Sequence, residues 1–142
     1  MCMETEVRNN NQPLVMIVDD DPSLSKLIRR NLEDTNARVI EVASGLECMR
    51  MVHKAKVDLI LLDIKLPDFS GWGILSLLRL TEPFHKIPVI IVSVESPITA
   101  LINQFKPNDY IKKPFDVRDL LGRVGKIIDS LNTSEYVSGG VT

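Results

Sequence analysis

Residues 14–22 read LVMIVDDDP: five apolar side chains in a row, three aspartates and a proline. An unbroken apolar run of this length fits a strand covered on both faces, because a half-exposed strand would alternate apolar and polar residues. Asp21 and Pro22 then read as an N-cap followed by proline at the first helical position, and Leu24, Leu27 and Ile28 supply an apolar stripe at helical spacing. The spacing predicts a strand over Leu14–Val18, an acidic turn, and a helix from about Pro22 to Asp34.

The same alternation continues outward. Further short apolar runs stand at Val39–Val42, Leu59–Leu62, Val89–Val92 and the brief Tyr110-Ile111, each separated from the next by an amphipathic stretch. Strands that alternate with helices imply parallel βαβ units. The first, third and fourth runs are almost unbroken Val, Ile and Leu, so those strands are expected at the centre of the sheet. Ser44 and Glu47 stand at capping-box spacing for a second helix ending near Ala55. Ile74, Leu77 and Leu78 share a face of a third helix over Gly71–Leu80. A short fourth helix is placed around Pro97–Phe105. The last begins at Asp116 and repeats apolar residues from Val117 through Leu131. One domain is therefore expected over residues 13–131, between a flexible N-terminal arm at 1–12 and a flexible C-terminal tail at 132–142 whose polar compositions cannot offset chain entropy.

The chain has 142 residues, 44% of them hydrophobic, which suits one core and is short for two. Seventeen basic and 19 acidic residues leave a net charge of −2, so no basic footprint for nucleic acid or an anionic membrane is present. The N-terminal MCMETEVRNNNQP lacks a signal-peptide pattern and no apolar run approaches a membrane span. Cys2 and Cys48 form neither a metal spacing nor a disulfide framework. Together these features point to a cytoplasmic protein that neither enters a membrane nor itself binds nucleic acid.

In an open parallel sheet, residues that follow the carboxyl ends of the strands gather in one crevice. Here they are Asp19, Asp20 and Asp21 after the first strand, Asp63 after the third, Ser93 after the fourth, and Lys113-Pro114 after the fifth. Alone, a DDD turn is more often a helix cap, a strand-end Asp a turn residue, and Ser93 or Lys113 a solvated surface group. In one crevice, carboxylates repel unless a cation sits among them, and a hard oxygen set suits Mg²⁺. A Mg²⁺ beside Asp63 would neutralise an incoming phosphoryl group, with Lys113 as a second positive charge and Ser93 as a hydrogen-bond donor.

Taken together, MIVDDDP, LILLDIKLPDFSG, VIIVS and DYIKKPF resemble the receiver domain of two-component response regulators, of the kind exemplified by single-domain chemotaxis regulators, over roughly Leu14–Leu131. Asp63 lies 43 residues beyond Asp20, and Ser93 lies 30 beyond Asp63, as in that family. The resemblance implies a flavodoxin-like doubly wound α/β fold, with five parallel strands in the order 2-1-3-4-5 and five helices. It implies Asp63 as phosphoacceptor and metal ligand, Asp20 as direct ligand, Asp19 as its partner, and the Lys65 backbone carbonyl as the third protein ligand. The metal would be Mg²⁺, with Mn²⁺ as a possible substitute. Ser93, Lys113 and Tyr110 match the phosphoryl-binding hydroxyl, the phosphate-pairing lysine and the switching aromatic, and Lys113-Pro114 is implied to be cis. The implied partners are a sensor histidine kinase or histidine phosphotransfer protein and a downstream protein on the face formed by helix 4, strand 5 and helix 5. The implied state is a monomer or a phosphorylation-dependent dimer.

Two alternatives use the same residues. Asp19 and Asp21 fit the D-x-D signature of haloacid-dehalogenase-like phosphatases, which need a longer chain. Flavin binding on this fold needs phosphate-holding backbone donors after the first strand, where three aspartates would repel the cofactor. Ser93 and Lys113 are 20 residues apart, somewhat fewer than in the family, so the fourth helix is expected to be abbreviated or displaced. Lys65 stands where a neutral side chain is common, which predicts slow hydrolysis of a phosphorylated Asp63. Eleven residues beyond Leu131 cannot make an output domain, so either a stand-alone receiver or an excised piece is expected.

Overall fold

The computed structural model describes residues 12–141, with side chains described through residue 132. The expected N-terminal arm, apart from Gln12, lies outside the described residues. Strand β1 (Leu14–Val18) is followed by α1 (Pro22–Glu33), β2 (Arg38–Val42), α2 (Gly45–Lys54), β3 (Leu59–Leu62) and α3 (Gly71–Leu80). After a 3-10 turn at Phe84–Lys86 come β4 (Val89–Ser93), α4 (Thr99–Phe105), β5 (Asp109–Lys112) and α5 (Val117–Val141). The five strands form one parallel sheet in the order β2-β1-β3-β4-β5. Among the described residues no helix is long and apolar enough to cross a membrane.

Because side chains along a strand alternate between faces, the apolar run of β1 serves two cores at once. Leu14, Met16 and Val18 pack with Cys48 and Val52 of α2 and Ile74, Leu75 and Leu78 of α3. Val15 and Ile17 pack with Ile28 and Leu32 of α1 and Leu120 and Val124 of α5. Every residue of β1, β3 and β4 is buried, as expected of central strands with helices on both sides.

The local signals act as their chemistry suggests. Asp21 accepts from the backbone N–H groups of Ser23 and Leu24 and caps α1. The N–H of Glu47 donates to Ser44 Oγ at 3.2 Å, while the Glu47 carboxylate reaches back to the Ala43 N–H at 3.0 Å. Several boundaries differ from the reading of the sequence. Strand β5 is longer than Tyr110-Ile111, because Asp109 and Lys112 complete its ladder with β4. The last helix starts at Val117, with Asp116 accepting from the Arg118 N–H, and continues past Leu131 to Val141. The segment 132–141, expected as a flexible tail, is thus helical, since a formed helix gains one backbone hydrogen bond per added residue without needing an apolar stripe. The fourth helix is short, with no side-chain cap and no buried residue, and it ends at Lys106 in the left-handed region. Lys113-Pro114 is cis, and so is Glu82-Pro83. His85 is half-buried, whereas His53 is exposed.

Candidate functional site

The chain passes from β1 outward to β2 and then returns to place β3 on the other side of β1, so strand order reverses between β1 and β3. At that point two acids are held by extensions of the sheet. The Asp19 N–H donates to the Val42 carbonyl at 3.1 Å, and the Asp63 N–H donates to the Val18 carbonyl at 2.9 Å. Lys113 is held in the same way, its N–H donating to the Ser93 carbonyl at 2.7 Å. Asp19, Asp63 and Ser93 are buried, whereas Asp20 is exposed.

Oxygens of Asp19, Asp20 and Asp63 can all be chosen within 4.8 Å of one another. The ammonium of Lys113 bridges two of these acids, at 2.8 Å from Asp19 Oδ2 and 3.2 Å from Asp63 Oδ2. Asp63 Oδ1 accepts only a long 3.3 Å bond from the Lys65 N–H, and Asp19 Oδ1 accepts from the Asp21 N–H at 2.9 Å. Burial pushes the Asp63 carboxyl above its ordinary range; Lys113 pulls it down and Asp19 pushes it up, and the upward effects prevail. Burial works against the Lys113 ammonium, but its hydrogen bonds and charge pairing with Asp19 and Asp63 outweigh that, so its pKa is raised. Two buried acids beside a third, served by one ammonium, form a site short of positive charge. An all-oxygen set with one exposed member fits a hard divalent cation that keeps several waters.

Beside the acids, Ser93 Oγ accepts from the Glu95 N–H at 3.1 Å, a bond that does not use its own hydroxyl proton. Tyr110 donates its hydroxyl to the Glu95 carbonyl at 2.6 Å. Burial raises the Tyr110 pKa, Ser93 lowers it, and the charges of Glu95 and Asp63 raise it further. Lys65 Nζ lies 3.9 Å from Glu95 Oε2, an exposed pair joining the loops after β3 and β4.

Three further residues build the site without announcing themselves in the sequence. Asp68, in the loop after β3, accepts from the Gly45 and Leu46 N–H groups at 2.9 Å each and so caps α2 from a distant part of the chain. Gly71 lies against the backbone of Asp63: a Cβ there would overlap the Asp63 carbonyl oxygen and stand 2.7 Å from Ile64 Cα. Trp72 stacks against Tyr110 on one hand and Phe105 on the other. Glycine at the start of a helix was the available signal for a close approach; the partners of Asp68 and Trp72 lie too far along the chain for spacing to reveal.

The sequence pattern of the response regulator receiver domain matches residues 15–125. The chain belongs to the response regulator receiver family. This receiver is 34% identical over 118 residues to the DNA-binding dual master transcriptional regulator RpaA of Synechocystis sp., covering 82% of this chain and 49% of that protein. It spans about half the length of the curated relatives it matches. Among solved structures it is similar to the CheY-like response regulator receiver domain protein of Methanospirillum hungatei, with a TM-score of 0.79 and 26% identity over 87% of this chain and 98% of that one. It is also similar to the receiver domain of the Francisella response regulator 1452, with a TM-score of 0.77 and 25% identity over 84% and 99% of the two chains. Receivers are signalling phosphoacceptors that generally bind Mg²⁺ at an acidic pocket, and Asp19, Asp20 and Asp63 form a pocket of that kind.

Proposed function

We propose that this receiver accepts a phosphoryl group on Asp63 from the phosphohistidine of a cytoplasmic sensor kinase or phosphotransfer protein, in a Mg²⁺-dependent reaction, and thereby changes its binding to a downstream protein. The observation that carries this reading is the charge balance of the crevice: among the described residues, Lys113 alone pairs with the two buried acids beside the exposed Asp20. Asp20, Asp63 and the Lys65 carbonyl would hold the metal, with Asp19 supporting it through water. When bound, the ion would neutralise charge on the transferring phosphoryl oxygens.

Asp63, whose Oδ1 has only a weak bond to the Lys65 amide, would use a carboxylate oxygen to attack phosphorus. The P–N bond to the donor histidine breaks as the new O–P bond forms, and the imidazole departs. Lys113 would move part of its hydrogen bonding to the phosphoryl oxygens, and Ser93 would turn its hydroxyl proton toward them. That inward pull would bring the Ser93–Glu95 turn with it, and Tyr110 is bonded to the same turn. The face made by α4, β5 and α5 would carry the change to a partner or a second receiver, with a monomer as the unphosphorylated state. The receiver would act only on its own phosphorylation and dephosphorylation.

Incubation with a small acyl phosphate and Mg²⁺ is expected to add one phosphoryl group by intact mass, labile to hydroxylamine as a mixed anhydride must be. Chelation of Mg²⁺, or Asp63→Asn, should abolish it. A phosphoryl adduct that persists in Asp63→Asn refutes the assignment.

A further inference from the structure

Trp72 is the second residue of α3, and its neighbour Gly71 is seated on the backbone of Asp63, with the Gly71 N–H donating to the Ile64 carbonyl at 2.7 Å. The start of α3 that carries the indole is therefore packed against the backbone of the acceptor aspartate. It lies 6.3 Å from the Tyr110 ring at an interplanar angle of 29°, and 5.6 Å from the Phe105 ring at 28°. The indole at the start of α3 thus stacks with one ring from β5 and with another from the last residue of α4.

What hangs on the far end of that stack makes it consequential. Helix α4 has seven residues, none of them buried, and no side-chain cap at its start. Few buried contacts mean a low local opening free energy, so one aromatic contact is a large part of what fastens such a helix. Phe105 sits at its end, next to the left-handed Lys106 that terminates it.

We propose that Trp72 is the positioning residue that transmits the placement of Tyr110 to α4, by sharing its indole between Tyr110 and Phe105. This rests on the reading of Asp63 as phosphoacceptor and of Tyr110 as the aromatic that responds. When Tyr110 changes position, one side of the indole loses or gains its neighbour. Phe105 follows, because offset-stacked rings hold a preferred geometry, and α4 is re-seated with it. The first turn of α3, fixed to the Asp63 backbone, stays put and serves as the anvil for both rings.

The test is amide hydrogen exchange over residues 99–105 in the whole chain, with and without Mg²⁺ and beryllofluoride as phosphoryl mimic. Wild type, Trp72→Ala and Trp72→Phe are compared, and phosphorylation of Asp63 is measured in parallel. Without the mimic, Trp72→Ala should raise α4 exchange about 2- to 12-fold, the range an aromatic pair is worth beyond its buried area. With the mimic, wild type should change its α4 exchange and its tryptophan fluorescence. Trp72→Ala should lose the α4 response while Asp63 still takes one phosphoryl group, and Trp72→Phe should restore most of it. An α4 response in Trp72→Ala equal to that of wild type overturns the proposal. So does a wild type in which Asp63 is phosphorylated but α4 stays still, an outcome that leaves the phosphoacceptor reading intact. If Asp63 takes no phosphoryl group in any variant, the underlying reading fails and the proposal falls with it. Should Trp72→Ala fail to fold, Phe105→Ala, in a helix without buried side chains, cuts the same contact and decides the question in the same way.

Discussion

Gly71→Ala sets two physical effects against each other at the acceptor aspartate. By intrinsic propensity alone, alanine in place of glycine at a helical position stabilises by roughly 0.5–1 kcal/mol. The Gly71 backbone has no positive φ, so alanine meets no conformational strain there. The new methyl, however, would overlap the Asp63 carbonyl oxygen and stand 2.7 Å from Ile64 Cα and 2.9 Å from the Asp63 carbonyl carbon, all backbone atoms with no rotamer to escape into. Ordinary carbon contacts lie at about 3.5–4.0 Å, so β3 and α3 must part by roughly 1 Å, and overpacking of this kind costs about 1–3 kcal/mol. Sterics should win, with a net loss of about 1–2 kcal/mol from a total of roughly 5–15. That leaves the receiver folded, with a Tm lower by about 3–10 °C for a domain of this size. A displacement near 1 Å at Asp63 should also slow phosphoryl transfer by up to about 10²-fold. Gly73→Ala is the matched control: it lies two residues further along the same helix with nothing within 4 Å of the added methyl, so it should gain about 0.5–1 kcal/mol and leave transfer unchanged. Calorimetric melting and phosphorylation time courses of the two variants measure both quantities. A Gly71→Ala receiver that melts at or above the wild-type temperature refutes the steric argument.

Other outcomes follow from the electrostatics. An acid whose pKa is raised by folding favours the native state when protonated and disfavours it when ionised. Metal-free stability should therefore fall as pH rises from the ordinary aspartate range through the raised pKa of Asp63. Asp63→Asn should flatten that slope and raise the metal-free Tm near neutral pH, read from denaturation in chelator; a lower Tm would contradict it. Asp20→Asn should weaken Mg²⁺ binding far more than Asp21→Asn, because Asp21 is occupied in capping α1, and equal losses by calorimetry would sink the ligand assignment. Burial pushes the Cys48 thiol up to about 12, so in a Cys2→Ser chain it should resist a thiol reagent at pH 8 until denaturant unfolds the protein; prompt labelling of that folded variant would show Cys48 to be accessible.

Legibility in the sequence followed the range over which each residue acts. Strand β1 and its cap were readable because the apolar run, Asp21 and Pro22 act on neighbours within a turn. The convergence of Asp19, Asp20, Asp63, Ser93 and Lys113 was readable because parallel topology brings strand ends together whatever the loops contain. Arg79 was not: its guanidinium donates to the Ile87 carbonyl at 2.7 Å and to Asn108 Oδ1 at 2.9 Å, fastening α3 to the starts of β4 and β5, and no local pattern names those partners. Glu95 was missed for a similar reason, since two of its three contacts use backbone atoms that any residue carries. The end of α5 lies ten residues past the last apolar repeat at Leu131, because helical propagation needs no apolar face.

The loop that leaves Asp63 is tied at both ends. Gly71 rests on the Asp63 backbone, and Asp68 accepts from the amides of Gly45 and Leu46 at the start of α2. Anyone transplanting residues 63–71 into another doubly wound protein would have to bring the opening of α2 with them. A host whose second helix began one residue later would leave the Asp68 carboxylate without its amides and the loop without its outer mooring. The portable unit of this fold is therefore two helix starts and the loop stretched between them, rather than the acid and its immediate neighbours.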